Sequence, residues 1–339
     1  MSTVRMGIVG LGWWACDVHI PNLLRVPGAA VAALCSRSAA SVERGRQALG
    51  GQAEPAVFHA YERLLASDAV DAVLICTPNA LHGPMTLEAL RAGKHVLVEK
   101  PLALQPAQCQ AIAQEAERRK LAVQVGVELR YSDVARAMRR LVEEGAVGAP
   151  ALARTTVWRE WGAPGSWRAD EAQSGGLFHE LAVHYLDLFD VLVGRLPRWV
   201  AAAGGAKATG RDLDYAVLTA GYEGGALASA GLCLFAAGSG DDLPLEVVGT
   251  EGRLAGDVVE GSLALWPREG ERRDLSPPRE GGPVFGFPGS RESVADFVDC
   301  VRSGRRPWAD APTGHLLCRL CEAARRSVGQ GGGQVAVEP

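Results

Sequence analysis

The chain has 339 residues, a formal net charge of −4, 47% hydrophobic residues and 22% charged residues. That balance describes a globular protein of about two domains, with too much apolar content for disorder. A weakly acidic chain with no basic stripe argues against nucleic acid or an anionic membrane as partner, and no apolar run reaches the roughly 18 residues of a spanning helix.

In chain order, the first strands are expected at Val4–Val9, Ala30–Cys35, Ala72–Cys76, His95–Val98 and Ala122–Val125. Helical periodicity falls between them, over Ser38–Leu49, Ala80–Ala92 and Pro106–Arg119. Several of these strands are apolar almost throughout, as when helices cover both faces of a parallel sheet. Residues 1–126 therefore read as an α/β Rossmann dinucleotide-binding domain. The run Met6–Cys16 belongs to that domain's first strand and turn, not to a cleaved leader, so a cytoplasmic protein is expected.

After about residue 150 the pattern changes. A long helix is predicted from Gly176 to Val193. Strands follow at Trp199–Ala203, Tyr215–Tyr222, Ala226–Leu234, Leu245–Val248 and Leu263–Trp266. A loop rich in Pro and Gly spans Pro267–Ser290, and helices close the chain at Arg291–Ser303 and Pro312–Val328. Strands without intervening helices predict an α+β domain with a mostly antiparallel open sheet over 127–339, its last helices able to pack back on the first domain. The eight scattered cysteines read as buried thiols. Cys318-Arg-Leu-Cys321 is the only C-x-x-C pair, so no metal site is expected.

Gly10-Leu-Gly12-Trp-Trp-Ala15 follows the first strand and opens a helix. In that setting Gly10 makes a tight turn, Gly12 admits a pyrophosphate and Ala15 allows close helix–strand packing. The helix N-terminus then offers unpaired N–H groups to phosphate. Trp13 and Trp14 are bulky for such a loop and are candidates to stack on cofactor or close over substrate. The second strand ends Cys35-Ser36-Arg37-Ser38, without the carboxylate that binds an NAD ribose. Ser36 and Arg37 suit a 2′-phosphate, so NADP(H) is expected over NAD(H).

Further motifs are Thr77-Pro78-Asn79 with His82, the run Gly93-Lys-His-Val-Leu-Val-Glu99-Lys100-Pro101, Gly175-Gly176, His184-Tyr-Leu-Asp187 and Val248-Gly249-Thr-Glu-Gly252. With the glycine turn, these motifs make the chain resemble the Gfo/Idh/MocA oxidoreductases from about residue 4 to 330. The resemblance implies a nicotinamide enzyme that interconverts a secondary alcohol and a ketone on a sugar, sugar nucleotide or cyclitol. It implies that Thr77, Pro78, Asn79, His82, Glu99 and Lys100 lie at the cofactor, and that Lys100 and His184 carry the proton chemistry. It also implies a homodimer or homotetramer through the second-domain sheet. A redox-assisted glycoside hydrolase or lyase and an NADP- or sugar-sensing regulator are the alternatives.

The sequence departs from the common family form at Glu180, which stands four residues before His184 where aspartate is usual. The extra methylene changes the carboxylate's reach and leaves its role among orienting His184, binding substrate and lining the pocket. Candidate substrate contacts are Glu128, Arg130, Trp161, Trp167, Arg168 and His179, with Arg159 in the same loop. Tryptophan faces stack on sugar rings, and arginines bind hydroxyl or phosphate groups.

Overall fold

The computed structural model describes residues 3–161, 166–278 and 285–337. It divides into two compact units, Met1–Glu128 with Pro283–Cys318, and Leu129–Gly282 with Arg319–Pro339.

The first unit alternates strands and helices: β1 (Val4–Val9), α1 (Ile20–Leu23), β2 (Ala29–Cys35), α2 (Ala39–Leu49), β3 (Ala56–Phe58), α3 (Tyr61–Leu65), β4 (Ala72–Ile75), α4 (His82–Arg91), β5 (His95–Glu99), α5 (Pro106–Arg119) and β6 (Val123–Gly126). The six strands are parallel in the order β3-β2-β1-β4-β5-β6, with the chain reversing direction across the sheet at β1 and β4. Such a reversal places the ligand crevice beyond the carboxyl ends of the strands. β4 is buried along its whole length, and the core cluster on one side of the sheet joins Met6, Ile8, Leu34 and Leu74.

The second unit contains α6 (Asp133–Glu143), β7 (Pro150–Trp158), α7 (Glu171–Ser174), α8 (Val183–Val193), β8 (Pro197–Gly205), β9 (Tyr215–Tyr222), β10 (Leu227–Cys233), β11 (Pro244–Gly249), β12 (Gly252–Asp257), β13 (Ser262–Pro267) and β14 (Arg273–Asp274). Then follow α9 (Ser290–Ser303), α10 (Ala311–Gly329) and β15 (Val335–Ala336). The nine-stranded sheet runs β14-β13-β12-β11-β7-β10-β9-β8-β15, antiparallel at every pairing except β7 with β10.

Several elements differ from the sequence reading. α9 belongs to the first unit, because Val294, Phe297 and Val298 on one helical face enter the core beside β1. Residues 283–318 group with the first unit, a packing that the sequence reading left open for the closing helices. The region between 127 and 176 holds α6 and β7, which were not anticipated. α6 begins at Ser132, whose Oγ accepts from the Ala135 N–H. β7 alternates buried and exposed residues, with Ala153, Thr155 and Val157 inward. The helix ending at Val193 opens with a π-helical turn, Phe178–Ala182, and the Val183 N–H donates to Phe178 O. Within the Pro267–Ser290 stretch lies β14, and residues 279–284 of that stretch fall outside the described ones.

None of the eight cysteines is in a disulfide, and Cys318 and Cys321 are buried, with Cys321 Sγ 3.4 Å from Phe178 O. Among the described residues no cluster suits a metal ion, and no helix is long and apolar enough to cross a membrane.

Candidate active site

In the first unit the site is built from the glycine turn outward. Gly10 has φ +84°, and a Cβ there would lie 2.7 Å from Cys76 O, so both the backbone and the neighbouring strand demand glycine. Gly12 is different: a Cβ on it would meet nothing within 4 Å. The chain leaves open space on that side, where a pyrophosphate would approach the turn. Ala15 is fully buried.

Beyond the turn, Trp14 and His19 converge on Glu99. Glu99 Oε1 accepts from Trp14 Nε1 at 3.0 Å and lies 2.6 Å from His19 Nε2. Burial acts to raise the Glu99 carboxyl, but the hydrogen bond and charge of His19, with Lys100 and His82, outweigh it and hold the group below its ordinary value. Lys100 follows directly, and the Lys100–Pro101 peptide bond is cis. Trp14 also packs near Phe287, with ring centroids 6.2 Å apart, while Trp13 is 58% exposed.

His82 was expected at the cofactor, but its ring is fully buried and spans two loops. Nδ1 is 2.7 Å from Pro101 O and Nε2 is 2.8 Å from Thr77 O. Burial lowers its pKa against the pull of those two carbonyls. It is therefore a strut that ties the Thr77-Pro78-Asn79 segment to the Lys100-Pro101 segment. Asn79 is buried beside it in the chain, within the 3-10 turn Asn79–Leu81.

At the end of β2, Ser36 Oγ accepts from the Ser38 N–H, and His59 Nδ1 lies 2.9 Å from Ser36 O. Arg37 is exposed, and no hydrogen bond or ion pair engages it among the described residues. His59, not singled out by sequence, brings a second basic side chain to this corner.

In the second unit, Glu180 and His184 lie on the helix that begins with the π turn. Glu180 is 3% exposed, and its Oε1 accepts from Arg168 Nε at 2.8 Å. This carboxylate, whose role the sequence left open, is thus gripped by a guanidinium from the preceding loop. Arg168 also covers the Trp167 ring, with Cζ 4.7 Å from the centroid. His179 is buried, and its Nδ1 lies 3.1 Å from Gly175 O.

Two arginines expected to touch substrate are occupied internally. Arg130 is 2% exposed and binds Asp187 through Nε (2.9 Å to Oδ2) and Nη2. Burial opposes the guanidinium charge, but Asp187 outweighs it and holds Arg130 above the ordinary arginine value. Burial and the Asp187 charge together push the neighbouring Asp190 up to about 6, against the pull of Arg130. Arg159 is 3% exposed and donates through Nη1 to the carbonyls of Trp158, Gly240 and Asp242. Glu128 is buried in the 3-10 turn Glu128–Tyr131, whereas Trp161 is 37% exposed.

Residues 4–127 match the family described as "Oxidoreductase family, NAD-binding Rossmann fold", and residues 135–255 match the "GFO/IDH/MocA C-terminal domain". The chain is 27% identical over 338 residues to a myo-inositol 2-dehydrogenase of Thermotoga maritima, covering 96% of each. It is 30% identical to a 1,5-anhydro-D-fructose reductase of Ensifer adhaerens, over 79% of this chain and 81% of that one. The crystal structure of an oxidoreductase domain protein from Kribbella flavida superposes with a TM-score of 0.88 at 26% identity, covering 100% of both chains. With both domains matched in order and a reductase relative 30% identical over 79% of the chain, the chain belongs to the Gfo/Idh/MocA oxidoreductase family.

Proposed function

We propose that this protein is an NADP(H)-dependent oxidoreductase that interconverts a secondary alcohol and a ketone on a sugar, cyclitol or similar ring substrate. One observation carries the reading: Trp14 and His19, from the helix that opens at the glycine turn, hold Glu99 beside Lys100 at the carboxyl end of β5. The turn that suits a dinucleotide and the lysine that suits proton chemistry are thereby built as one piece. The polyol and sugar relatives named above support a ring substrate.

Gly10, Gly12, Ser36, Arg37 and the Thr77-Pro78-Asn79 segment would hold the dinucleotide. When bound, its nicotinamide supplies the hydride acceptor or donor. Lys100 lowers the energy of an alkoxide developing on the substrate oxygen. His184 takes the hydroxyl proton in oxidation and returns it in reduction. Glu180, held by Arg168, serves to position substrate.

Preference for NADP(H) is supported by the absence of a carboxylate at the end of β2 and by the exposed Arg37 beside Ser36 and His59. Arg37→Ala is expected to weaken NADP(H) binding by about tenfold or more, the scale of one charge-assisted hydrogen bond, with little effect on NAD(H). A fluorescence titration with both cofactors checks this, and unchanged NADP(H) affinity rejects the preference. A spectrophotometric panel of ketosugars and polyols tests the function itself: no hydride transfer on any of them rejects it.

We also propose that the second unit's sheet pairs two copies of the chain. Leu152, Trp158, Val217 and Leu227 are 38%, 43%, 60% and 38% exposed on the same outward face of β7, β9 and β10. A monomer rarely leaves so many large apolar side chains together in water. Sedimentation velocity should show a dimer or tetramer, and Val217→Lys should shift it toward monomer. A wild-type monomer at micromolar concentration contradicts the proposal.

A further inference from the structure

The parallel pairing of β2 with β3 sets Cys35 opposite Phe58, so the residues that follow, Ser36 and His59, leave the sheet side by side at its carboxyl edge. The Ser36 N–H donates to Phe58 O at 3.1 Å, which carries the ladder one step past both strands. His59 Nδ1 then lies 2.9 Å from Ser36 O. That oxygen belongs to the peptide bond joining Ser36 to Arg37, the two residues assigned to the 2′-phosphate. The imidazole is thus tied to the backbone of that corner.

A carbonyl oxygen only accepts, so Nδ1 is the nitrogen that carries hydrogen. In the neutral ring Nε2 is then a bare lone pair. His59 is exposed, and its Nε2 has no hydrogen-bond partner among the described residues. The charged groups on the flanking segments are Arg37 after β2, and Glu62 and Arg63 on α3; among the described residues none of them pairs with the ring. A bare nitrogen repels a phosphate oxygen, whereas a protonated one donates a charge-assisted hydrogen bond to it. Histidine is the side chain that crosses between these two states in the physiological pH range.

We propose that His59 is a second specificity-determining residue for the cofactor: as an imidazolium it binds the 2′-phosphate of NADP(H) together with Arg37. The proposal rests on the reading that the end of β2 holds that phosphate. Binding of NADP(H) therefore draws a proton onto Nε2. NAD(H) offers a hydroxyl there, which can donate to the bare Nε2 and draws no proton. A complex that holds more protons than the free protein is strengthened as the pH falls. Preference for NADP(H) over NAD(H) is thus greater at about pH 6.5 than at about pH 8.5, while Arg37 stays charged throughout.

The test is calorimetric titration of the protein with NADP+ and with NAD+ at about pH 7.5, in buffers of different ionisation enthalpy, so that the heats report protons taken up. A phosphate monoester is already almost wholly dianionic at that pH, so uptake belongs to the protein. About half a proton is expected per NADP+ bound, the scale set by one charge-assisted hydrogen bond, and none per NAD+. The ratio of the two affinities should rise about tenfold from about pH 8.5 to about pH 6.5. His59→Asn keeps an amide N–H near the Nδ1 position for Ser36 O and removes the titrating nitrogen. It should abolish the uptake, flatten the ratio and leave the Tm unchanged. Uptake that persists in His59→Asn overturns the proposal, as does wild-type binding of NADP+ more tightly than NAD+ with no uptake. Equal binding of the two dinucleotides at every pH overturns both the proposal and the NADP(H) reading. Loss of NADP+ affinity in Arg37→Ala without proton uptake in the wild type counts against His59 alone.

Discussion

Lys100→Met is expected to lower kcat by about 10²- to 10⁴-fold, the range typical of a lost proton-transfer or charge-stabilising group. Methionine keeps the length of the side-chain stem and removes only the ammonium. Glu99 should stay ionised and in place, because His19 and Trp14 hold it independently of Lys100. Cofactor affinity is therefore expected to remain within a few-fold of wild type, and the loss should appear in the chemical step. His184→Ala is expected to act in the same way. Stopped-flow absorbance of the nicotinamide, alongside fluorescence titration of the cofactor, separates the two effects. A Lys100→Met enzyme with an undiminished rate would falsify the role assigned to this lysine.

Asp187→Ala is expected to destabilise the second unit by about 3–5 kcal/mol, because it strands the Arg130 guanidinium in a site where both partners are almost wholly buried. The double replacement Arg130→Met with Asp187→Leu should recover most of that loss, since two apolar groups of similar size leave nothing unpaired. Urea unfolding followed by tryptophan fluorescence measures both variants. The contrast separates a paired charge from a packing defect: if the double variant is as unstable as Asp187→Ala, the cost comes from lost volume. The same double variant bears on substrate recognition, because an Arg130 that touched the sugar would also raise KM when removed.

Much of the first unit could be read locally. β1 and α5 have the bounds that apolar runs and helical periodicity predict, and β2, β4 and β5 differ by a residue at one end. The positive φ at Gly10 follows from a turn that admits only glycine. β3 and α3 escaped because a three-residue strand and a five-residue helix are too short to show a period. β7 escaped for another reason: its outward face carries Leu152 and Trp158, which mask the alternation.

The sequence by itself determined the family and the doubly wound first domain, because each is written in contiguous residues or in a short period. Which side chains meet was decided only by the tertiary structure. His19 finds Glu99 from 80 residues away, and Arg130 finds Asp187 across 57. The apolar face of α9 announces burial and left open a return to the first domain; the structure sets it in the core beside β1. Local periodicity records which face of an element avoids water. It holds no information about the partner that a charged group meets when that face is buried.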